Sequence, residues 1–211
     1  MKGLFISILI LTIFFAITLV MVLRKMKVSS MIIRQSYHIL VICILGEIMA
    51  GVVLSNIGKY LSILPGIIVL IPIVSGTRGS IMGIFCSRLT SALHLGTIRP
   101  FFRDIFKDGP LKENVLAALF LSISIAILSG IIAHYLSLVF GYQSAGVFKF
   151  TAIVLIASFL SDITLILTGA VISFSTFKRN IDPDNMLFPI NTTISDIISS
   201  LFLVIAVRIV V

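Results

Sequence analysis

Six long apolar segments dominate this sequence, and they restrict what it can fold into. A helix needs about 20 apolar residues to cross the hydrocarbon core of a bilayer. Segments of that kind occupy residues 3–23, 36–58, 63–96, 112–138, 147–173 and 187–210. In lipid every backbone polar group must be paired inside the protein, and separate spans of this length satisfy that condition as helices. We therefore predict an all-α integral membrane protein with six transmembrane helices.

The composition supports a membrane protein and leaves no room for a separate soluble domain. Hydrophobic residues make up 59% of the chain and charged residues 11%, whereas soluble domains are nearer roughly half and a quarter. The net charge of +8 comes from basic residues that flank the apolar spans, which is typical of topology signals rather than of a nucleic-acid surface. We therefore expect contact with membrane lipid and no nucleic-acid partner.

The first and third segments differ from simple spans. Residues 3–23 follow Lys2 like a signal peptide, but "RKMK" comes next where a small-residue cleavage site would stand, which indicates a retained helix. The third segment is too long for one simple span. It contains Pro65, Pro72, Gly76 and Gly79, so we expect a kinked or partly broken helix there.

The basic residues of the loops predict the orientation. Loops 24–35, 97–112 and 174–186 each carry two to four Lys or Arg, whereas the alternate loops carry only Lys59 and Lys149. Short loops rich in Lys and Arg stay in the cytoplasm. We therefore expect a multi-pass plasma-membrane protein with both termini outside.

Three acidic residues, Glu47, Asp162 and Asp196, lie well inside predicted spans. An ionised side chain at mid-bilayer costs at least about 2.5–3.5 kcal/mol, so such residues line a cavity, form a pair or bind an ion. Arg78 and Arg88 in the third segment are possible salt-bridge partners. Both a structural and a functional role therefore remain open for Glu47 and Asp162.

Asp196 lies within a polar stripe of the last span. Residues three and four apart share one face of a helix, which groups Asp196 with the hydroxyl residues Thr192, Thr193, Ser199 and Ser200. A helix–helix contact would explain the hydroxyls but not the acid, so we favour a water-filled path. In the third segment small residues recur every four positions, at Gly79, Gly83, Ser87 and Ser91, a spacing that lets helices approach closely.

These groups offer only oxygen ligands. Carboxylate, hydroxyl and backbone carbonyl suit hard cations such as Mg²⁺, Ca²⁺ or Mn²⁺. Because Mg²⁺ gives up its waters reluctantly, one or two carboxylates that contact a hydrated ion would make a suitable site. Two chains on a two-fold axis would bring two copies of Asp196 to one ion.

Two stretches resemble signatures of the MgtE family of magnesium channels and transporters, and of the related eukaryotic solute-carrier magnesium transporters. The first is "SGTRGSIMGIFCSRLTSALHLG" (75–96), with a G-x-x-G element followed by S-R-L-T. The second is "DPDNMLFPINTTISD" (182–196), with an acid and proline, a later proline, two small residues and an aspartate. Its matching positions are Asp182, Pro183, Asp184, Asn185, Pro189, Thr192, Thr193 and Asp196.

The resemblance covers roughly residues 36–211 as five spans, and it implies a divalent-cation transport domain. Residues 1–35 are then an extra helix and a basic cytoplasmic loop. The family likeness implies a homodimer, or a heterodimer with a similar half-size chain, whose third and last spans line the ion path. Mg²⁺ is the expected transported ion, with Mn²⁺ or Co²⁺ as alternatives, and we expect no organic cofactor.

The resemblance also assigns roles to individual residues. Asp196 matches the family aspartate that contacts a hydrated cation, and Asp182 matches an acid near the cytoplasmic mouth. We expect Thr192 and Thr193 to support the ion site. The remaining candidates to line or gate the path are Gly76, Gly79, Ser80, Gly83, Ser87, Asn185, Ser199 and Ser200. Arg78 departs from the family, which often has asparagine near this position; it could repel the ion or pair with Asp162.

Two other classes remain open. An intramembrane aspartyl protease would need the carboxyl groups of Asp162 and Asp196 in contact, although the G-x-G-D element of such enzymes is absent. A non-conducting or obligate partner subunit would pair each acid with Arg78 or Arg88. We expect no enzyme activity, since the sequence contains no nucleotide fingerprint and no zinc spacing.

Overall fold

The computed structural model describes the backbone of residues 30–99, 109–178 and 183–211, together with residue 10 and short helical stretches at 13–18 and 20–21. In the long ranges, side chains are described for residues 37–99, 109–178 and 188–211. By its internal contacts the chain divides into two units, Met1–His38 and Ile39–Val211. Most of the span expected at 3–23 lies outside the described residues.

All long elements of the described chain are helices. The α-helices, numbered in chain order, are α1 (Ser30–Leu54), α2 (Gly58–Leu61), α3 (Leu70–His94), α4 (Gly109–Val139), α5 (Val147–Lys178) and α6 (Pro183–Val210). Two 3-10 turns, Ser55–Ile57 and Pro65–Val69, precede α2 and α3. Five helical segments are long and apolar enough to cross a membrane: Tyr37–Leu61, Pro65–His94, Gly109–Val139, Val147–Lys178 and Phe188–Val210. The prediction of an all-α membrane protein is confirmed.

The interruption expected in the third segment lies at its start. The 3-10 turn Pro65–Val69 leads into α3, which then continues as one α-helix to His94. Pro72 falls in the first turn of α3, where no intrahelical partner is required for a backbone N–H. Gly76 and Gly79 lie inside the continuous helix. The break therefore coincides with Pro65, and the glycines do not interrupt the span.

Glycine ends two of the spans. Gly96 and Gly141 have φ values of 70° and 72°, which L side chains rarely adopt. After each glycine the next amide reverses onto the preceding helix: Thr97 N–H donates to Ala92 O at 3.0 Å, and Tyr142 N–H to Ser137 O at 2.8 Å. This is the Schellman arrangement that satisfies the last carbonyl groups of a helix.

In the second unit, α3 and α5 pack against each other, and each of them also packs against α4 and α6. Two apolar clusters form at different depths. One joins the C-terminal half of α3 to the N-terminal part of α4 and the C-terminal half of α5. The other joins the start of α3 to the C-terminal part of α4, the N-terminal half of α5 and the end of α6. The middle of the bundle lies between them.

Two connections meet at one end of the bundle. The Gly66 N–H donates to Gln143 O at 3.1 Å, and a Cβ added to Gly66 would lie 2.5 Å from the same oxygen. Gly66 lies in the 3-10 turn Pro65–Val69, just after the loop that follows α2, and Gln143 lies in the loop between α4 and α5. These two loops therefore lie on the same side of the membrane.

Candidate ion pathway and its charged groups

A charged pair lies in the middle of the helical bundle. Nη1 of Arg78 on α3 donates to Oδ2 of Asp162 on α5 at 2.8 Å, and the two side chains are 0% and 2% exposed. Ser122 of α4 contacts both groups, accepting from Arg78 Nη1 and donating to Asp162 Oδ2. One charge-assisted cluster therefore joins three helices. Of the two roles proposed for Arg78 from the sequence, its pairing with Asp162 is confirmed.

The three residues of this cluster separate the two apolar clusters. On each of the three helices, a buried apolar residue before the charged residue or Ser122 belongs to one apolar cluster, and a buried apolar residue after it belongs to the other. These flanking pairs are Val74 and Ile81 on α3, Ala118 and Ala126 on α4, and Ala157 and Leu165 on α5. Because each member also lies near the centre of its apolar segment, the charged pair is placed close to mid-membrane.

Asp196 has a different partner. On α1, Glu47 lies close enough to Asp196 for the charges of the two carboxyl groups to interact. Asp196 is half-buried and Glu47 is exposed. Within the ranges that the structure describes, no salt bridge joins either group to a basic side chain. Two carboxylates in contact repel each other unless a proton or a cation is placed with them.

A glycine brings the two acids together. Gly46 of α1 lies against Thr193 of α6, and a Cβ added to Gly46 would collide with Thr193 Cγ2. Glu47 follows Gly46, and Asp196 lies three residues after Thr193, on the same face of α6. The close helix contact therefore sets the distance between the carboxyl groups. Thr193 is 8% exposed, so its methyl group is part of the packing between the helices.

Two glycines of the small-residue stripe of α3, Gly79 and Gly83, face α6. A Cβ added to Gly79 would lie 3.8 Å from Thr192 Cγ2, and one added to Gly83 would lie 3.1 Å from the Phe188 ring. As the α3 residue number rises by four, the α6 residue number falls by four, so the helices run antiparallel. Gly79 and Gly83 therefore allow the close packing that their spacing predicts, whereas Ser87 and Ser91 of the same stripe are exposed.

The polar stripe of α6 is divided between two environments. Ser199 and Ser200 are buried with Thr193, whereas Thr192 and Asp196 are half-buried. The hydroxyls of Thr192 and Ser199 bond to their own helix: Thr192 donates to Phe188 O and Pro189 O at 3.1 and 2.9 Å, and Ser199 donates to Asp196 O at 3.3 Å. Asp196 therefore lies at the border between the packed and the accessible surface of α6.

The remaining candidates on α3 lie on its accessible side. Gly76, Ser80, Ser87 and Arg88 are exposed, and Ser80 donates to Gly76 O at 2.9 Å. Gly76 and Ser80 line a groove of about 440 Å³ between α3 and α4. Asp182 lies outside the described residues, and so does the side chain of Asn185.

The two aspartates take separate partners. Asp162 is engaged by Arg78 and Ser122, whereas Asp196 interacts with Glu47. The contact that an aspartyl protease requires between Asp162 and Asp196 is not among the interactions of the described chain. The partner-subunit hypothesis fits Asp162, whose partner is Arg78, but it does not fit Asp196.

Sequence reasoning missed Ser122 and the partner of Glu47. Ser122 is one of several serines in an apolar span, and nothing in the pattern distinguishes it from Ser124 or Ser129. Glu47 was recognised as an intramembrane charge, but its contact with Asp196 links spans that are distant in sequence. The register of such a contact depends on tertiary packing.

Helices that cross the membrane around a buried charged pair and a half-buried acid define a multi-pass membrane protein. A protein-family model described as MgtE, divalent cation transporter, matches residues 71–206, which is more than half of the chain. The chain therefore belongs to the MgtE family of divalent cation transporters, a family of transporters and not of enzymes. A comparison with curated proteins finds no match to the chain.

Proposed function

We propose that this chain transports Mg²⁺ through a path between two copies of itself, with Asp196 as the principal ligand. The observation that carries the proposal is the proximity of Glu47 to Asp196, at the point where Gly46 of α1 packs against Thr193 of α6. These two carboxyl groups lie together without a basic partner in the described part of the chain, and such a pair favours a cation beside it. Arg78 takes Asp162 as its partner, which leaves Asp196 available to the ion.

The ligand chemistry supports Mg²⁺ over softer metals. One chain supplies two carboxylates from α1 and α6, and the half-buried Thr192 lies one turn before Asp196 on α6. Mg²⁺ keeps several of its waters and is commonly held by one or two carboxylates, so a hydrated ion suits this arrangement. Mn²⁺ and Co²⁺ accept oxygen ligands as well and are the competing ions to test.

The exposure of Glu47 supports a second chain. Glu47 is exposed near the middle of the Tyr37–Leu61 span, where contact of a charge with lipid would cost about 2.5–3.5 kcal/mol or more. A second copy that covers this face would shield Glu47 and bring two Asp196 side chains to a common axis. The exposed small residues Gly76 and Ser80 would then line the path. A heterodimer with a similar chain would meet the same requirement.

The orientation proposal places the basic loops in the cytoplasm of a plasma-membrane protein. The hydrogen bond between Gly66 and Gln143 supports one common side for the loops that carry few basic residues, and the positive-inside tendency assigns that side to the exterior. Asp182 and Asn185 would then stand at the cytoplasmic entrance of the path.

Uptake by liposomes tests the proposal. Purified protein is reconstituted with a Mg²⁺-sensitive dye inside, and initial rates are compared for wild type, Asp196→Asn and the control Glu113→Gln. Glu113 is an exposed acid near the start of α4, so its loss removes one negative charge far from the proposed path. We expect uptake to fall at least about tenfold in Asp196→Asn, since one charge contact is worth roughly this factor or more. Equal rates in all three proteins would refute the role of Asp196.

The same experiment addresses the partner-subunit alternative. A chain that must pair with a different half gives no uptake alone, whatever its Asp196 side chain. Recovery of uptake on co-reconstitution with a second family member would then support the heterodimer. Competition by Mn²⁺ and Co²⁺ in the active preparation measures the ion preference.

A further inference from the structure

We propose that Asp162 makes cation transport possible by neutralising Arg78, so that the pair sets the electrostatic potential of the ion path. This inference rests on the proposed function, because it concerns the same path. Asp162 would be a specificity-determining residue that never touches the ion. Ser122 would hold it in place, since its hydroxyl contacts both charged groups.

The packing of α3 on α6 places Arg78 close to the depth of the ion site. Gly79 faces Thr192 and Gly83 faces Phe188 in an antiparallel register. If that register continues for one more helical turn, Asp196 lies opposite position 75 of α3, three residues before Arg78. Because a helix rises about 1.5 Å per residue, the two residues differ in depth by only about 5 Å. Packed helix axes are about 8–10 Å apart, so a lone charge at Arg78 would act on the ion directly.

The buried position of Arg78 makes its neutralisation necessary. Its side chain is fully buried, so salt does not screen it as it screens a surface charge. Arginine also keeps its proton in proteins, which rules out neutralisation by deprotonation. Nε and Nη2 of Arg78 make no hydrogen bond to the described part of the chain. Asp162 is therefore the counter-charge for Arg78 in the described bundle.

The size of the effect follows from Coulomb's law. A single positive charge about 12 Å from a divalent ion, at an effective dielectric constant of about 20, weakens ion binding by roughly tenfold to a hundredfold. The intact pair has no net charge, and its residual dipole acts much more weakly at that distance. Loss of Asp162 is thus expected to affect the ion strongly, although Asp162 is engaged by Arg78 and Ser122.

A purely mechanical role of the pair makes a different prediction. If Arg78 and Asp162 only join α3 to α5, removal of either partner breaks the same contact and damages transport equally. If the pair controls potential, the two single changes have opposite electrostatic signs. Asp162→Asn leaves a positive charge, and Arg78→Met leaves a negative one.

Three variants separate these possibilities. Asp162→Asn is expected to raise the KM for Mg²⁺ at least tenfold, Arg78→Met to leave it unchanged or lower it, and R78M/D162N to restore it to within about threefold of wild type. The first and third variants both carry asparagine at position 162 and differ only in the charge at position 78. Ser122→Ala keeps both charges and controls for loss of the hydroxyl.

Folding is checked on each protein by its thermal unfolding midpoint in detergent. The same measurement, repeated over a range of Mg²⁺ concentrations with Asp196→Asn as the blank, reports ion binding without requiring transport. If R78M/D162N binds Mg²⁺ as weakly as Asp162→Asn, the charge of Arg78 is not the cause, and the inference is wrong. The inference is equally wrong if a folded Asp162→Asn binds and transports Mg²⁺ like wild type.

The two proposals can fail separately. If the wild type takes up no Mg²⁺ but binds it, and if that binding weakens in Asp162→Asn and recovers in R78M/D162N, transport by this chain alone is overturned and the inference is supported. Absence of both uptake and Asp196-dependent binding in wild type overturns both.

Discussion

Thr193 of α6 lies against Gly46 of α1 with no space for a β-carbon at residue 46. The residues that follow this contact on the two helices include Glu47 and Asp196, whose carboxyl groups interact. A change that widens the contact therefore separates two acids without altering either of them. This arrangement allows the geometry of the ion site to be tested apart from its chemistry.

Gly46→Ala is expected to weaken Mg²⁺ uptake by pushing α1 away from α6. Overpacking of a close contact costs about 1–3 kcal/mol, part of which would be relieved by separation of the helices. Initial uptake rates over a range of Mg²⁺ concentrations measure the effect as a raised KM. Gly51→Ala on the same helix is the control, because a Cβ there meets nothing within 4 Å.

The clash at Gly46 involves the methyl group of Thr193, which suggests a rescue. Thr193→Ser removes Cγ2 and retains the hydroxyl, so G46A/T193S should recover most of the affinity lost in Gly46→Ala. If the double variant is no better than the single one, the contact does not control the ion site. A defect of equal size in Gly51→Ala would instead indicate a general effect of alanine on α1.

Glu47→Gln is expected to raise the KM for Mg²⁺ about tenfold, the factor that corresponds to a loss of about 1.4 kcal/mol. The amide keeps the size of the side chain and removes its charge beside Asp196. Liposome uptake measures the change. E47Q/D196N should lose less than the sum of the two single losses in free energy, because residues that share one ion are coupled. Strict additivity would show that Glu47 and Asp196 act at independent sites.

Gly130→Ala is expected to destabilise the bundle where α4 meets α5. A Cβ at residue 130 would collide with Thr151 Cα and lie 2.9 Å from Thr151 N, so backbone and not a side chain must move. A cost of about 1–3 kcal/mol lowers Tm by roughly 3–10 °C in a protein of this size.

A thiol-reactive dye can follow this unfolding, because Cys43 and Cys86 are 8% and 3% exposed and become accessible as the bundle opens. Gly76→Ala is the control for the backbone, since a Cβ there meets nothing within 4 Å. An unchanged Tm in Gly130→Ala would mean that α4 and α5 separate at little cost. A loss of Mg²⁺ uptake in Gly76→Ala, at normal Tm, would support a second chain against that face.

Labelling from one side of the membrane tests the orientation. Lys59, Lys112 and Lys149 are all exposed, so a cysteine at each, in a background with Cys43 and Cys86 replaced by alanine, is open to a membrane-impermeant maleimide. Lys59→Cys and Lys149→Cys should react in intact cells, and Lys112→Cys only after permeabilisation. The reverse pattern would invert the predicted topology.

The number and extent of the described spans could be predicted because lipid imposes strict rules on length and polarity. The predicted end of the last span at residue 210 agrees with the end of α6, whereas α6 begins at Pro183, before the predicted start at residue 187. For α4 and α5 the helices continue beyond the apolar residues, since a hydropathy pattern does not limit a helix outside the bilayer. Proline was a good indicator of the break at Pro65, whereas Gly76 and Gly79 were not.

The pairing of charged residues was only partly accessible from the sequence. Arg78 and Asp162 were recognisable as partners because a buried charge needs its opposite within the same membrane layer. Whether Arg78 pairs with Asp162 or with Asp196 depends on which face of α3 carries Arg78. That face is set by the packing of Gly79 and Gly83 on α6. The roles of Asp196 and of the small residues of α3 remain predictions, supported by the contacts described above. The role of Asp182 also remains a prediction, and this residue lies outside the described residues.

The position of the Arg78–Asp162 pair near the centres of its helices has an electrical consequence. A charge that crosses the whole membrane gains about 2.3 kcal/mol per 100 mV, so a lone charge at mid-depth senses about half of that. The pair carries both signs within 2.8 Å, so moving it as a unit through the field requires almost no electrical work. Any voltage dependence of transport would then arise from the ion and from Glu47 and Asp196, while the centre of the bundle is insensitive to the membrane potential.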